Sequence, residues 1–171
     1  MVALMKKYVF LLLFLVLFQP ANIYAANAQP ARLPYFASLR ADTINVRTGP
    51  SVRYPVKWVF KRKYYPVEVI ASFQQWRKIR DHEGEVGWTH ESLLSRNRYI
   101  LIQGTEEADL LRLPAFNSAV IARAERGIIA QLNRCEKQWC KIEIPQPEDE
   151  IFSGWIDARY LWGVYANEQV E

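Results

Sequence analysis

Few side chains in this sequence could carry out covalent chemistry. Its only histidines are His82 and His90, and its only cysteines are Cys135 and Cys140. A cysteine nucleophile needs a neighbouring base, and no histidine lies in the second half of the chain. Ser92, His90 and Asp81 are triad residue types, but a triad is recognised by geometry, and three such residues in a small domain carry almost no information. A metal site would need two or more ligands beyond the cysteine pair. The sequence therefore points away from an enzyme and calls for no cofactor.

Binding chemistry is better represented. Basic residues gather at Arg53, Lys57, Lys61-Arg62-Lys63 and Arg77-Lys78-Arg80, interleaved with Tyr54, Trp58, Phe60, Tyr64, Tyr65 and Trp76. Cations beside stacking platforms suit an anionic polymer or a sugar chain. The alternative is a solvated charged face over core aromatics. The net charge of +4 hides an asymmetry. Residues 36–97 hold 11 Lys+Arg against 6 Asp+Glu, whereas residues 98–171 hold 8 against 12. The first half is thus basic by five charges and the second acidic by four.

The elements that hold these residues must fit within 171 residues, enough for one ordinary domain or two very small ones. With 50% hydrophobic and 13% aromatic residues, intrinsic disorder is excluded. Lys6 and Lys7, the apolar run from Tyr8 to Phe18, and the small-residue stretch Ala21 to Ala28 follow the order of a secretory signal peptide. The apolar run is too short to span a bilayer. Residues 1–28 are expected to be removed, with cleavage after Ala25, Ala26 or Ala28, leaving no stable membrane anchor. A periplasmic or secreted location follows as an expectation. Nucleic acid is not an expected partner there. In an oxidising compartment Cys135 and Cys140 are expected to pair across a hairpin turn, free thiols or metal ligation being the alternatives.

Beyond a short linker at 29–35, the chain repeats itself. Arg47, Trp76, Trp88 and Leu94 recur as Arg112, Trp139, Trp155 and Leu161, at offsets of 65, 63, 67 and 67. Four extra residues fall in the polar, proline-rich stretch Pro145–Glu150, as a hairpin tip would accept them. Val67, Val69, Ala71 and Phe73 alternate with Glu68, Ile70 and Ser72, and Ile128, Ala130 and Leu132 alternate likewise. That is the period of a half-buried strand. Asp81-His82-Glu83-Gly84 reads as a turn between strands, and short 3-10 turns are expected near Ser92-Leu93-Leu94 and Arg159-Tyr160-Leu161. The fold class is all-β, with two five-stranded units at 36–97 and 98–164 and a tail at 165–171. Units this small are marginal alone, so packing of the two copies and a disulfide in the second are natural remedies.

The segments Asn45-Val46-Arg47-Thr48-Gly49-Pro50-Ser51, Trp76-Arg77-Lys78-Ile79 and Gly87-Trp88 resemble the bacterial SH3-like (SH3b) domain. With Trp139-Cys140-Lys141-Ile142 and Leu161-Trp162-Gly163 in the second copy, the chain is similar to exported proteins with two tandem SH3-like domains, over Phe36 to Val164. The second copy departs from the pattern, with Leu113-Pro114 in place of the Thr-Gly-Pro-Ser stretch. The resemblance implies two small barrels and a non-catalytic envelope module whose ligand is peptidoglycan or its stem peptides. The expected ligand-binding residues are Tyr54, Trp58, Tyr64 and Trp76, assisted by Arg53 and Lys61. A periplasmic adaptor for an envelope protein, or self-association between the oppositely charged halves, is the competing expectation.

Overall fold

The computed structural model describes residues 32–104, 107–145 and 151–170. The expected signal peptide and most of the expected hairpin tip lie outside these residues. Among them the chain is all-β: fourteen strands and short 3-10 turns, with no α-helix. The first seven strands are β1 (Tyr35–Leu39), β2 (Ile44–Arg47), β3 (Val56–Phe60), β4 (Pro66–Phe73), β5 (Trp76–Arg80), β6 (Val86–His90) and β7 (Leu94–Ser95). The second seven are β8 (Tyr99–Ile102), β9 (Ala108–Leu111), β10 (Val120–Ala124), β11 (Ile129–Glu136), β12 (Trp139–Pro145), β13 (Ile151–Asp157) and β14 (Leu161–Trp162).

The two sheets have the same strand order, β3-β2-β6-β5-β4-β1-β7 and β10-β9-β13-β12-β11-β8-β14. The sequence repeat is therefore a structural repeat. Each copy has seven strands rather than the expected five. The first strand of each copy precedes the repeated landmarks, and the last is a two-residue piece after the 3-10 turn; neither carries a strong alternation.

Alternation decides what each strand buries. Val46, Val67, Val69 and Ile79 are fully buried in the first core, and Leu110, Ala130, Ile142 and Ile156 form part of the second. Gly87 explains one local choice. A Cβ there would lie 2.4 Å from Val46 Cγ1 and 3.0 Å from the Trp58 ring, so only glycine lets both reach the inner face. The turn after β5 is built by Asp81, whose Oδ1 accepts the backbone N–H groups of Glu83 (3.0 Å) and Glu85 (2.9 Å). Gly84 supplies the positive φ of that turn.

The 3-10 turns lie at Glu91–Leu93 and Ala158–Tyr160, one residue before the expected positions. Cys135 and Cys140 form a disulfide across β11 and β12, both nearly inaccessible. The connecting turn is Lys137-Gln138, because Glu136 and Trp139 already pair. Ser72 and Arg77 face each other at the matching place in the first copy, which has no such bond.

The copies meet in a polar and aromatic seam. Phe36, Ser38 and Glu68 share the outward face of β1 and β4, since Phe36 pairs with Glu68 and Ser38 with Pro66. Phe36 packs edge-on against Trp162, with ring centroids 5.2 Å apart, and tilted against Tyr165 at 4.7 Å. The Trp162 indole donates to the Pro66 carbonyl (3.2 Å), Tyr99 N–H donates to Ser38 Oγ (3.1 Å), and the Tyr165 hydroxyl donates to Glu68 Oε1 (2.9 Å). Glu68 also holds Arg80 across the sheet. These partners satisfy the oxygens of Glu68 at only 4% exposure, where alternation alone would have placed it in solvent. The segment after Val164, expected to be a tail, reaches this seam through Tyr165 and otherwise packs on the second copy. Glu168 pairs with Arg98 at 2.8 Å, and Val170 bridges to Cys135. Burial disfavours the charge on Glu168, but hydrogen bonds from Arg98 and Tyr165 N–H outweigh it and hold its carboxyl below the usual range.

Candidate functional site

Strand parity sorts the aromatic residues by face. Val46 pairs with Trp58, and Val46 is buried. Trp58 therefore lies on the inner face, above Gly87, with its indole N–H buried and without an acceptor among the described residues. It is half-buried and packs against the first core, on the opposite face of the sheet from Trp76. Arg47 pairs with Trp88, Lys78 pairs with Trp88, and Trp76 pairs with His90. These five side chains thus share the outer face of β2, β6 and β5, and all are half-buried. Trp76 packs edge-on against His90 at 5.6 Å. His90 in turn caps the 3-10 turn, with Nδ1 2.8 Å from Ser92 Oγ. Asp81 sits at the opposite end of β6, committed to its own turn, so Ser92, His90 and Asp81 form no triad.

The other expected contacts do not converge on this face. Tyr54 sits on the loop between β2 and β3, closed by the Thr48 N–H to Pro55 carbonyl bond (3.0 Å). Its ring covers Gly49, and its carbonyl accepts from Arg47 (2.8 Å). The loop is thereby anchored beside Trp88, but Tyr54 makes no ring contact with Trp76. Arg53 is exposed on the same loop, and Lys61 is exposed beyond β3. Tyr64 lies elsewhere, stacked on Tyr99 of the second copy at 4.3 Å. Of the six expected residues, Tyr54 and Arg53 lie on the β2–β3 loop, Tyr64 belongs to the boundary between copies, and Trp58 is half-buried against the first core. Sequence reasoning did not name Trp88, Lys78 and Arg47 among the contacts, although Lys78 belongs to its basic run and Trp88 reads there as either a packing residue or part of a ligand face. Period-two spacing from Trp76 to Lys78 could have found Lys78.

The same region of the second copy is a groove. Trp155 pairs with Leu111 and Lys141, and Trp139 shares their face. The loop between β9 and β10 closes through Arg112 N–H to the Ala119 carbonyl (3.0 Å) and Leu113 N–H to Ser118 Oγ (2.9 Å). Leu113-Pro114 does not abolish this loop; it delivers Phe116 to within 5.0 Å of Trp139. Phe116, Trp139 and Tyr160 border a groove of about 310 Å³ that also carries Glu107, Asp109 and Asp157. Asp109 is paired with Arg123 and Asp157 with Arg159. Trp155 is nearly closed off, with the Arg134 guanidinium 4.9 Å from its ring centroid. The two faces thus differ: the first carries Arg47 and Lys78, whereas in the groove only Glu107 keeps a carboxylate with no ion-pair partner among the described residues.

Comparison with known proteins agrees with the repeat. The family model described as the bacterial SH3 domain matches residues 40–96 and again residues 104–163. Among curated proteins, no sequence matches the chain. Among solved structures, NlpC2 from Trichomonas vaginalis is similar at 12% identity, covering 78% of this chain and 49% of that one, with a TM-score of 0.34. NlpC1 from the same organism is similar at 11% identity over 78% of this chain and 47% of that one, also at 0.34. The chain spans about half the length of each.

Proposed function

The chain belongs to the bacterial SH3 domain family, with two copies of that domain in one compact unit, and from this premise we propose that it is a non-catalytic binding module of the bacterial envelope, periplasmic or secreted, recognising peptidoglycan or its stem peptides. The observation that carries the reading is the outer face of the first copy. There Trp88 stands between Arg47 and Lys78 in one cross-strand row, and Trp76 and His90 pair in the adjacent row. Indole faces pack against sugar rings and apolar peptide groups. The two cations meet the carboxylates of an anionic polymer. The surface needs no nucleophile and no metal to do this.

The test is co-sedimentation of residues 29–171 with purified sacculi. Binding at low salt should weaken as salt rises, because exposed charges are screened. A Trp76→Ala/Trp88→Ala variant should retain a tenth or less of the binding. Absence of co-sedimentation at low salt rejects the proposal.

A second reading rests on the Phe116, Trp139 and Tyr160 groove. Aromatic walls with the Glu107 carboxylate at the rim suit an extended peptide with a basic residue, which would make the protein an envelope adaptor. A Trp139→Ala variant that loses an envelope-protein partner while keeping its affinity for sacculi favours this reading.

A further inference from the structure

The boundary between the copies holds a second cleft, distinct from both aromatic faces, of about 330 Å³. Its size is within the range of small-ligand sites. One wall comes from the chain after β3, where Arg62 and Lys63 lie exposed and neither has a carboxylate within ion-pair distance among the described residues. Beside them the stacked rings of Tyr64 and Tyr99 line the cleft, and Lys63 Nζ lies 4.8 Å from the Tyr64 ring centroid. The other wall is apolar, from Ile129, Pro145 and Ile151. The wall residues come from both copies, so neither copy alone can form the cleft.

The pair of phenols is held in place from both sides. Tyr64 donates its N–H to the Leu39 carbonyl (2.9 Å), and Tyr99 donates its N–H to Ser38 Oγ (3.1 Å). Tyr64 adopts a φ of 65°, a conformation unfavourable for a bulky residue. Such backbone strain persists only where the surroundings enforce it, and it concentrates at ligand clamps. Glu143 also borders the cleft, with Gln131. Its carboxylate is occupied by Asn133 Nδ2 at 2.6 Å. A ligand anion is repelled from that end and directed to Arg62 and Lys63, while Gln131 and Glu143 face groups that donate hydrogen bonds.

We propose that this cleft binds the C-terminal carboxylate of a short peptide with small apolar side chains. The carboxylate meets Arg62 and Lys63, the terminal side chain lies on Ile129, Pro145 and Ile151, and the preceding amide reaches Gln131. This site is separate from the Trp76 face and does not depend on it.

The experiment titrates N-acetyl-alanyl-alanine into residues 29–171, followed by amide chemical shifts and calorimetry. Its C-terminal carboxamide and inorganic phosphate serve as comparison probes. The acid should bind and shift the amides of Tyr64, Tyr99 and Ile129. The carboxamide should bind at least tenfold more weakly, and so should the acid to an Arg62→Gln/Lys63→Gln variant, whose exposed side chains are not needed for folding. Trp76→Ala should leave this binding unchanged, which separates the result from that with sacculi. No binding of the acid overturns the proposal. So do equal affinities for acid and carboxamide, an unaffected double variant, or phosphate binding as tightly as the peptide.

Discussion

Replacing Tyr165 by Phe tests whether the seam between the copies is an energetic interface. The variant keeps the ring that packs on Phe36 at 4.7 Å and removes only the hydroxyl, which donates to Glu68 Oε1 at 2.9 Å. Glu68 is 4% exposed, and its other hydrogen bonds, from Arg80, go to Oε2. A hydrogen bond to a charged group contributes about 1.5–3 kcal/mol, and a buried acceptor left alone costs about 1–3 kcal/mol. Tyr165 is itself half-exposed, so water relieves part of the loss and about 1–2 kcal/mol is expected. For a unit of this size that lowers Tm by roughly 3–6 °C. Calorimetric melting at neutral pH reads it directly. The pH dependence adds a second check. Burial first, and then the bond to Glu68, push the Tyr165 phenol above its ordinary value of 10.0. A raised pKa favours the neutral phenol, so its stabilisation is whole below pH 10.0 and is lost as pH rises beyond it. The difference between wild type and variant should therefore shrink in alkali. A Tm unchanged within a degree at neutral pH, or a gap that widens above pH 10.0, would refute the reasoning.

Three further outcomes follow from other parts of the structure. Gly87→Ala should cost about 1–3 kcal/mol by overpacking and alter Trp58 fluorescence; adding Val46→Ala should recover part of the stability, because the new Cβ is closest to Val46 Cγ1. Removing the disulfide with Cys135→Ala/Cys140→Ala should cost about 2 kcal/mol in the chain-entropy model, read by urea unfolding with amide exchange resolving the loss in the second copy. The lowered Glu168 pKa stabilises the fold above the ordinary value of 4.5, and that contribution disappears as pH falls below it. Glu168→Gln should therefore lose stability at neutral pH and show a flatter acid dependence, measured by urea midpoints across the acid range.

The repeat was legible because its landmarks answer one physical demand twice. Gly87 and Gly154 each leave room for core side chains from the neighbouring strands. Trp76 and Trp139 each follow a tight turn, at Gln74-Gln75 and Lys137-Gln138, in which Gln74 and Lys137 take positive φ. The seam was not legible for the opposite reason. Phe36, Glu68 and Tyr165 act once each, so comparing the copies cannot reveal them, and Glu68 reads as an ordinary solvent-side residue of an alternating strand. The binding residues were legible in type but not in direction. Trp58 and Trp76 both read as aromatics among bases, yet register sends one inward over Gly87 and the other outward. The β2–β3 register shift after Val46 is invisible in the spacing of residue types. The groove of the second copy was hidden because Leu113-Pro114 departs from the repeated pattern, although Phe116 three residues after Leu113 restores an aromatic wall.

The seam also sets the order in which the molecule can be finished. Phe36, Pro66 and Glu68 come early in the chain, and their partners Trp162 and Tyr165 come nearly a hundred residues or more later. Closing such distant contacts is slow relative to local hairpins. A chain emerging vectorially, amino end first, completes the hairpins of its first copy while Phe36 and Glu68 still face water. Phe36 gains Trp162 and Tyr165, and Glu68 gains the Tyr165 hydroxyl beside its Arg80 partner, only after β14 has emerged. Until then the first copy is an intermediate with an unsealed flank, open to the wrong neighbour. Trp162 and Tyr165 therefore act as a latch that closes the flank of the first copy against the second.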